Sequence, residues 1–488
     1  MPADDFGANA NFVPGVPGST AQYLIDDRSK NIALSPSFLS NLSKDGIGLN
    51  YSGNHALATV TPYNFAPRVG LAFQARQNLV VRAAYGMFYD SLFNTGGTST
   101  GLTYPFASNL SYTNSNSSLP ITPDNSIGLT SNGLLNTQTN PVFVNASGLS
   151  LFGQQYNWQT PYVQSANVSV QYLPSKNQSL TVSFVSTGGR HISTFANANL
   201  SPELLPPSAS VKNYVPFPDF AIGSQYQASE GSTNYHGAQA TYERRFSSGF
   251  SLLANYTWAK ARTDATENLS GGSGNVGYRA PGVAGWGIGH DMDLAGFDAR
   301  NTIHISGTYQ LPFGKGKPFL SHGHLANAVV GGWALSGLMT YQSGNPINVG
   351  CTITTGAGTG CDALMVPGVG LYAGAHTVQH WANAAAFANP GVVTAVGQSS
   401  FAPLGGSPSQ LRMPRFHRGD MSLQKRWQTS EHTALEFRGE FFNLTNTPNF
   451  ANPASLNFGS AASFAPITAT RDSPNDPRSI QLGLNLYF

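Results

Sequence analysis

The chain has 488 residues, of which only 10% are charged, and its formal net charge is +2. An ordinary soluble domain carries about 25% charged residues, so this composition is unusual for a conventional water-facing surface. The charge is spread along the chain and leaves no basic patch for nucleic acid, while a mean hydropathy of −0.17 argues against membrane-spanning helices. Low charge combined with 11% aromatic residues and 53 glycines favours a membrane β-barrel.

The amino-terminal region, residues 1–65, is predicted to be mostly loop. Pro36 at the first position and Gly46 at the end predict a short capped helix. Residues 11–13 are predicted to be the tail of an incomplete strand. Residues 1–6 have neither the basic nor the apolar stretch of a signal peptide. The sequence is therefore interpreted as the back part of a longer protein.

Residues 66–488 are predicted to form the barrel itself, because apolar and polar side chains alternate there with the period of a β-strand. Eleven such segments can be counted. Their first apolar positions are Val69, Leu79, Ala166, Leu180, Ala238, Phe250, Ile303, Trp333, Met421, Leu435 and Ile480. Single-chain bacterial barrels usually have an even number of strands. At least one more strand is therefore expected from residues 1–13 or from sequence outside this chain.

The connections between these segments alternate between tight and long. The long ones are polar and cover residues 91–160, 187–234, 261–298, 344–419 and 445–477. Outer-membrane barrels have short periplasmic turns and long extracellular loops, so the pattern predicts the orientation of the strands. The alternative is a soluble all-β protein, but its loops would far exceed the usual length of a few residues.

The last nine residues, 480–488, are the clearest strand of the chain. Nine residues is close to the roughly 9–11 that a tilted β-strand needs to cross a bilayer. Leu482, Leu484 and Leu486 share one face, and Gln481 and Asn485 share the other. The three leucines are therefore predicted to face lipid, with the chain ending at the periplasmic side.

Several motifs resemble the barrel of Oar-like TonB-dependent outer-membrane receptors. They are NFAPRVG at 64–70, YGMFYD at 85–90, ERRF at 243–246, LPFGKGK at 311–317, GGWALSG at 331–337 and FRGEFFN at 437–443. The resemblance implies a 22-stranded barrel with an internal plug, opened from the periplasm by TonB. It also implies that the terminal aromatic residue, Phe488, is the signal read by the barrel assembly machinery.

The fold class expected from these observations is all-β: a transmembrane antiparallel β-barrel of the outer-membrane type, with about 12 strands present of a probable 22. Its partners are expected to be outer-membrane lipid, the assembly machinery and an unidentified ligand. Residues 1–65 resemble neither a plug nor a TonB box, so TonB is expected to act only through a missing amino-terminal region. The expected function is uptake of that ligand, and the alternative is a plugless pore or a surface-binding barrel.

Few residues suggest chemistry of their own. Asp291, Asp293 and Asp298 offer three carboxylates within eight residues, which makes them a weak candidate site for Ca²⁺. Cys351 and Cys361 are predicted to form a disulfide, because they lie close together in a loop that would face an oxidising exterior. No catalytic or cofactor-binding residue is identified, and no enzyme activity is expected.

Overall fold

The computed structural model describes most of the chain, with gaps in the long connections. The described ranges are 7–15, 19–90, 103–106, 146, 148–265, 279–280, 282–320, 324–353, 360–372, 374, 376–398, 400–407, 410–471 and 477–488.

Strands dominate these residues. In chain order they are β1 (Ala10–Val13), β2 (Gln22–Asp26), β3 (Gly48–Ser52), β4 (Thr59–Val60), β5 (Arg68–Arg76), β6 (Leu79–Tyr89), β7 (Gly153–Gln154), β8 (Asn157–Trp158), β9 (Tyr162–Ser175), β10 (Gln178–Asn197), β11 (Gln225–Ser247), β12 (Phe250–Thr263), β13 (Asp293–Leu294), β14 (Asn301–Gln310), β15 (Trp333–Gln342), β16 (Pro346–Ile347), β17 (Leu364–Met365), β18 (Phe387–Ala388), β19 (Leu411–Arg412), β20 (Phe416–Gln428), β21 (Ala434–Phe442) and β22 (Ser479–Tyr487).

Helices are few and short. Two described segments are α-helical, Pro36–Lys44 and His324–Val330. Single turns of 3-10 helix occur at Asp27–Ser29, Val211–Asn213, Ile288–Asp291, Ala384–Ala386, Ala402–Leu404 and Ala461–Ser463. Among the described residues, none of the helices has the length and apolarity that a membrane crossing requires.

The main sheet confirms the eleven predicted strands and their antiparallel order. Its strands follow one another as β22–β21–β20–β15–β14–β12–β11–β10–β9–β6–β5, with the short β7 and β13 attached to β11 and β12. The hairpin β11–β12 turns at Ser248 and Gly249, which both have positive φ, 53° and 80°. A two-residue turn with two positive φ values matches the twist of an antiparallel pair, which explains the tight connection.

The two faces of this sheet differ sharply in polarity. One row of paired residues is apolar from β6 to β15: Val81, Val170, Val182, Ala240, Tyr256, Ile303 and Tyr341. The next row, one residue along each strand, is polar: Arg82, Ser169, Ser183, Gln239, Thr257, Thr302 and Gln342. Because neighbouring residues of a strand point to opposite faces, the sheet has an apolar outer face and a polar inner face.

The outer face carries aromatic residues at the periplasmic end, as an interfacial girdle does. Lys425 lies on this face between Trp333 and Trp427, with Nζ 5.4 and 5.1 Å from the two ring centroids. Its ammonium donates to the carbonyl of Ala328, in the helix His324–Val330, at 2.6 Å. The connection between β14 and β15 is thereby held against the outer face near the expected membrane boundary.

The amino-terminal region folds differently from the predicted loop. β1 pairs with β2 and β2 with β3 in a separate small sheet, next to the predicted helix, observed at Pro36–Lys44. The predicted partial strand at residues 11–13 is therefore a strand, but it does not extend the barrel. The reason is its burial, because Ala10, Phe12 and the intervening Asn11 are all fully buried. We call residues 7–60 of the described chain the amino-terminal module.

Asp26 gives the amino-terminal module a defined pH dependence. Hydrogen bonds from Arg28 lower the pKa of Asp26 to about 2. An acid whose pKa falls on folding stabilises the fold above its unfolded pKa, about 3.9, and loses that contribution as the pH falls toward the folded value. We therefore expect Asp26→Asn to weaken amide-exchange protection of β2 at pH 7, and the difference from wild type to vanish between about pH 4 and pH 2.

Asp27 supplies the control, because its side chain is half-exposed and lies 3.6 Å from His55. The Asp27→Asn variant should keep wild-type protection throughout. Equal protection of β2 in wild type and Asp26→Asn at pH 7 would contradict the assigned role of the Asp26–Arg28 pair.

Candidate functional site at the extracellular ends of the strands

The described parts of the long connections fold together with the amino-terminal module into a cap, at the end of the sheet predicted to be extracellular. The largest apolar cluster joins Phe12, Tyr23 and Phe38 of the module to Phe217 and Phe220 of the connection after β10. The rings of Phe12 and Phe217 meet edge to face at 5.2 Å. Two further clusters lie within the later connections. Beneath the cap, β10 and β11 are 20 and 23 residues long, about twice the length that crosses a bilayer.

Arg279 links two connections of the cap. Its side chain is 10% exposed, and its Nε donates to Asp291 Oδ1 at 2.8 Å. A second nitrogen lies 3.1 Å from Asp362 Oδ2 and donates to the carbonyl of Leu404 at 3.1 Å. The indole of Trp286 donates to Asp291 at 2.9 Å, and its ring lies 4.9 Å below the guanidinium. Burial raises the pKa of Asp362, which the positive charge of Arg279 counteracts.

The three candidate calcium ligands are separated by their partners. Asp291 forms an ion pair with Arg279, whereas Asp298 forms one with Arg412, at 2.7 Å. Asp293 accepts a hydrogen bond from Ser407. The three carboxylates do not converge as a shared ligand set, so calcium binding stays a prediction that this geometry does not favour. Among the described residues, the one group with metal-ligand spacing is Asp26, Asp27 and His55. In that group, the guanidinium of Arg28 already donates hydrogen bonds to both carboxylate oxygens of Asp26.

The structure joins Cys351 and Cys361 in a disulfide, with 5.5 Å between their Cα atoms. It closes a small loop in the connection between β15 and β20. Phe488, the predicted assembly signal, follows β22 and is almost fully exposed.

The disulfide gives a direct chemical prediction. Protein isolated under non-reducing conditions and denatured should show no free thiol, and two thiols after reduction, since Cys351 and Cys361 are the two cysteines of the sequence. Closing so small a loop should stabilise the cap by roughly 2–3 kcal/mol at most. The Cys351→Ser/Cys361→Ser variant serves as the blank for the thiol assay. Equal thiol counts with and without reductant would contradict the pairing.

A cavity of about 640 Å³ lies at the ends of β15 and β20. Its walls include the rings of Tyr372, His376 and Trp381, which lie tilted against one another. The ring centroids of Tyr372 and His376 are 4.4 Å apart, and those of His376 and Trp381 are 4.2 Å apart. Trp381 is fixed because its indole donates to the carbonyl of Arg412 at 2.8 Å. Burial raises the pKa of Tyr372. We call this cavity the aromatic pocket.

The aromatic pocket is lined by one guanidinium and two imidazoles. Arg415, His376 and His417 line it, and none of the described lining residues is acidic. The backbone N–H of His417 donates to Asn449, but its buried side-chain Nδ1 has no hydrogen-bond partner. An unpaired buried nitrogen is costly unless a ligand or water satisfies it. The pocket is therefore suited to an anion carried on a group that stacks on aromatic rings.

The inner face offers a second set of polar groups. β21 carries a row of charged side chains, in which Arg438 donates to Glu436 at 3.1 Å and lies 4.0 Å from Glu440. On the neighbouring β20, Arg418 donates to Asp420 at 2.9 Å. Such a wall can line water, a plug or a passing polar ligand.

Sequence reasoning missed Arg279 and the aromatic pocket. Arg279 follows a polar stretch with no strand period, and its partners lie 12 and 83 residues further along the chain. The pocket gathers residues from four separate segments, at 341–344, 372–381, 413–417 and 447–450. No local pattern in the sequence brings these residues together.

Comparison with known proteins places the chain in a family. The family model described as an outer membrane beta barrel domain matches residues 2–481. A search of curated proteins returned no match. Among solved structures, the chain is similar to the ferric-catecholate import receptor Fiu from E. coli K12, with 9% identity, a TM-score of 0.36, and coverage of 86% of this chain and 34% of that one.

Two further structures have comparable values. BauA, the ferric preacinetobactin receptor from Acinetobacter baumannii, has 13% identity, a TM-score of 0.38, and coverage of 86% and 36%. The outer membrane transporter YddB from Escherichia coli has 9% identity, a TM-score of 0.39, and coverage of 85% and 39%. The chain thus spans well under half the length of these structures. Through the family model, which covers nearly its whole length, the chain belongs to the outer membrane β-barrel domain family and lies in the outer membrane.

Proposed function

We propose that the chain forms the barrel of a TonB-dependent uptake receptor, which binds a ligand at its extracellular cap and admits it along the polar inner face. The contrast between the two adjacent rows of the sheet carries this proposal. The row through Val81 and Val182 is apolar, whereas the row through Arg82 and Ser183 is polar across the same seven strands. A wall with lipid on one side and a hydrated path on the other has this pattern.

The cap supports binding rather than free diffusion. Its described residues contain three apolar clusters and the buried Arg279 junction, so these parts of the long connections are folded. Binding sites built on loops need such support, because a ligand must otherwise order the loops at the cost of affinity. The motifs at 64–70 and 437–443, which resemble Oar-like receptors, favour TonB as the energy source. In this proposal the plug and TonB box are contributed from outside these 488 residues.

Genetic epistasis tests the dependence on TonB. Deletion of the gene and deletion of tonB are each compared with wild type for growth on a panel of limiting nutrients. We expect the gene deletion to cause a growth defect on at least one nutrient, and the double deletion to be no worse than the tonB deletion alone. An additive defect in the double deletion, or no defect on any nutrient, would contradict the proposal.

Electrical conductance separates the receptor from the alternative of a plugless pore. Protein purified from outer membranes is inserted into planar lipid bilayers at constant voltage. A receptor closed by a plug should give no steady conductance. Steady channels of uniform size, abolished by antibody against the cap, would favour the pore and count against uptake driven by TonB.

A further inference from the structure

The aromatic pocket lies on the outer side of the barrel wall. Tyr341 and His417, which line it, are paired across β15 and β20. The next pairs on the same face are Met339 with Gly419, and Gly337 with Met421. Side chains two residues apart along a strand share a face. Tyr341 and His417 therefore continue the apolar outer face upward, away from the polar inner face along which we propose that ligand passes.

The height of the aromatic pocket coincides with the outer membrane boundary. Trp333, at the periplasmic end of β15, is eight residues from Tyr341. At about 3.3 Å per residue this separation is about 26 Å along the strand. For a strand tilted by about 40° it is about 20 Å along the membrane normal, against about 25 Å for the apolar band of an outer-membrane barrel. With Trp333 beside Lys425 in the periplasmic girdle, Tyr341 lies within about 5 Å of the upper edge of this band, and Arg415, two residues before its partner His417, lies at the level of the headgroups of the outer leaflet.

A second cavity of about 400 Å³ lies directly below the aromatic pocket on the same strands. It is an apolar groove with Gly307, Gly337 and Gly419 at its base, where Gly307 and Gly337 are direct partners. Its walls include Met339 and Leu335. Glycines leave a channel in an outer face that is otherwise covered by large side chains. We call this channel the glycine groove, and its depth in the hydrocarbon suits an acyl chain.

The charged groups of the aromatic pocket favour a lipid headgroup that carries phosphate. Arg415 is exposed and forms no ion pair or side-chain hydrogen bond within the described part of the chain, and His417 Nδ1 lacks a partner. An arginine matches phosphate through parallel hydrogen bonds. The rings of Tyr372 and Trp381 also line the pocket, edge to face with centroids 6.1 Å apart. The volume of the pocket is larger than a single phosphate needs and leaves space for sugar rings beside it.

We propose that the aromatic pocket and the glycine groove together bind one molecule of a phosphorylated glycolipid of the outer leaflet. Its phosphate and sugar rings occupy the pocket beside Arg415 and His417, and one acyl chain lies in the groove over Gly419. The proposal depends only on the orientation of the barrel in the outer membrane, and it holds whether or not the chain takes part in uptake.

The test measures glycolipid that copurifies with the protein from outer membranes in a mild detergent. Native mass spectrometry and phosphate analysis give the number of glycolipid molecules per protein. Arg415→Glu reverses the charge of the pocket. Gly419→Leu fills the groove without strain, because nothing lies within 4 Å of a Cβ at that position. We expect close to one glycolipid per wild-type protein and at least a fivefold loss in each variant.

Two matched controls separate this site from general changes of the surface. Arg478→Glu reverses an exposed charge at the extracellular start of β22, outside the pocket. Gly439→Leu adds a side chain on the outer face of β21, where a Cβ would meet Leu482 at an ordinary 3.5 Å. Both should retain the wild-type glycolipid content. Heat-modifiable migration on gels confirms folding, and Arg415→Gln replaces Arg415→Glu if that variant does not fold.

The outcomes that overturn the proposal are distinct. Absence of glycolipid from wild-type protein, or equal glycolipid content in all variants, would show that this site does not bind glycolipid. Loss in Arg415→Glu with full retention in Gly419→Leu, together with displacement of the bound glycolipid by inorganic phosphate, would mean that the pocket binds anions without using the groove. That result overturns the lipid site as proposed.

Discussion

Deleting Phe488, or replacing both Leu484 and Leu486 with Asp, is expected to remove the folded barrel from the outer membrane. Leu484 pairs with Phe437 and Leu486 with Leu435, so all four lie on the outer face. A charged side chain on the lipid face of a barrel is destabilising by up to about 2–4 kcal/mol at the midplane, and by less for Asp and nearer the interface. β22 is also an edge of the main sheet, and unpaired backbone groups in lipid cost several kcal/mol each.

The same strand provides a matched control. Gly483 lies between Leu482 and Leu484 but on the inner face, opposite Arg438, and a Cβ there would meet only the Arg438 carbonyl at 3.9 Å. Gly483→Asp should therefore assemble normally. The measurement is the abundance and heat-modifiable migration of each variant in outer-membrane fractions. Wild-type abundance of folded protein without Phe488 would contradict the role assigned to this residue.

Replacing Arg279 with Leu is expected to unfold part of the cap while leaving the main sheet intact. The substitution leaves Asp291 and Asp362 without the positive charge of Arg279. The side chain of Asp291 is fully buried, and that of Asp362 is 4% exposed. Removal of one partner from a buried ion pair typically costs about 3–5 kcal/mol, because a buried charge is left uncompensated. Thermolysin should consequently cut the connection between β12 and β14 much faster than in wild type, while heat-modifiable migration is unchanged.

Arg300 and Asp291 supply the controls for this prediction. Arg300 is exposed in the same connection and has no side-chain partner among the described residues, so Arg300→Leu should resist thermolysin as wild type does. Adding Asp291→Asn to Arg279→Leu removes one unpaired charge and should restore part of the resistance. Equal cleavage rates for wild type and Arg279→Leu would show that the junction does not hold the cap.

The sequence predicted the barrel well because its signal is local and repeated. Each strand needs an apolar residue at every second position, and this pattern is visible without any knowledge of the fold. Residues 480–488 are a clear case, since the predicted outer face is the face on which Leu482, Leu484 and Ile480 pair with β21. The tight connection at Ser248 and Gly249 was also predictable, because the alternating patterns of β11 and β12 leave only a few residues between the two strands.

The cap could not be predicted in this way, because its contacts join residues that are far apart in the chain. Asp291 was grouped with Asp293 and Asp298 by proximity in sequence, but it pairs with Arg279 and Trp286. Residues 11–13 have the apolar character of a strand, yet burial of both faces places them in the amino-terminal module. The aromatic pocket depends on the register of β15 with β20, which orients Tyr341 and His417 outward.

Site-directed labelling of β22 tests the central claim most directly, namely that the apolar face of the sheet meets lipid. Single cysteines are placed at Leu482, Leu484, Leu486, Gln481 and Asn485 in a background with Cys351 and Cys361 replaced by Ser. The membrane-inserted protein is then exposed to a thiol probe that dissolves in the bilayer. We expect labelling at the three leucine positions and protection at Gln481 and Asn485. Labelling at Gln481 and Asn485, with the leucine positions protected, would contradict the orientation of the sheet.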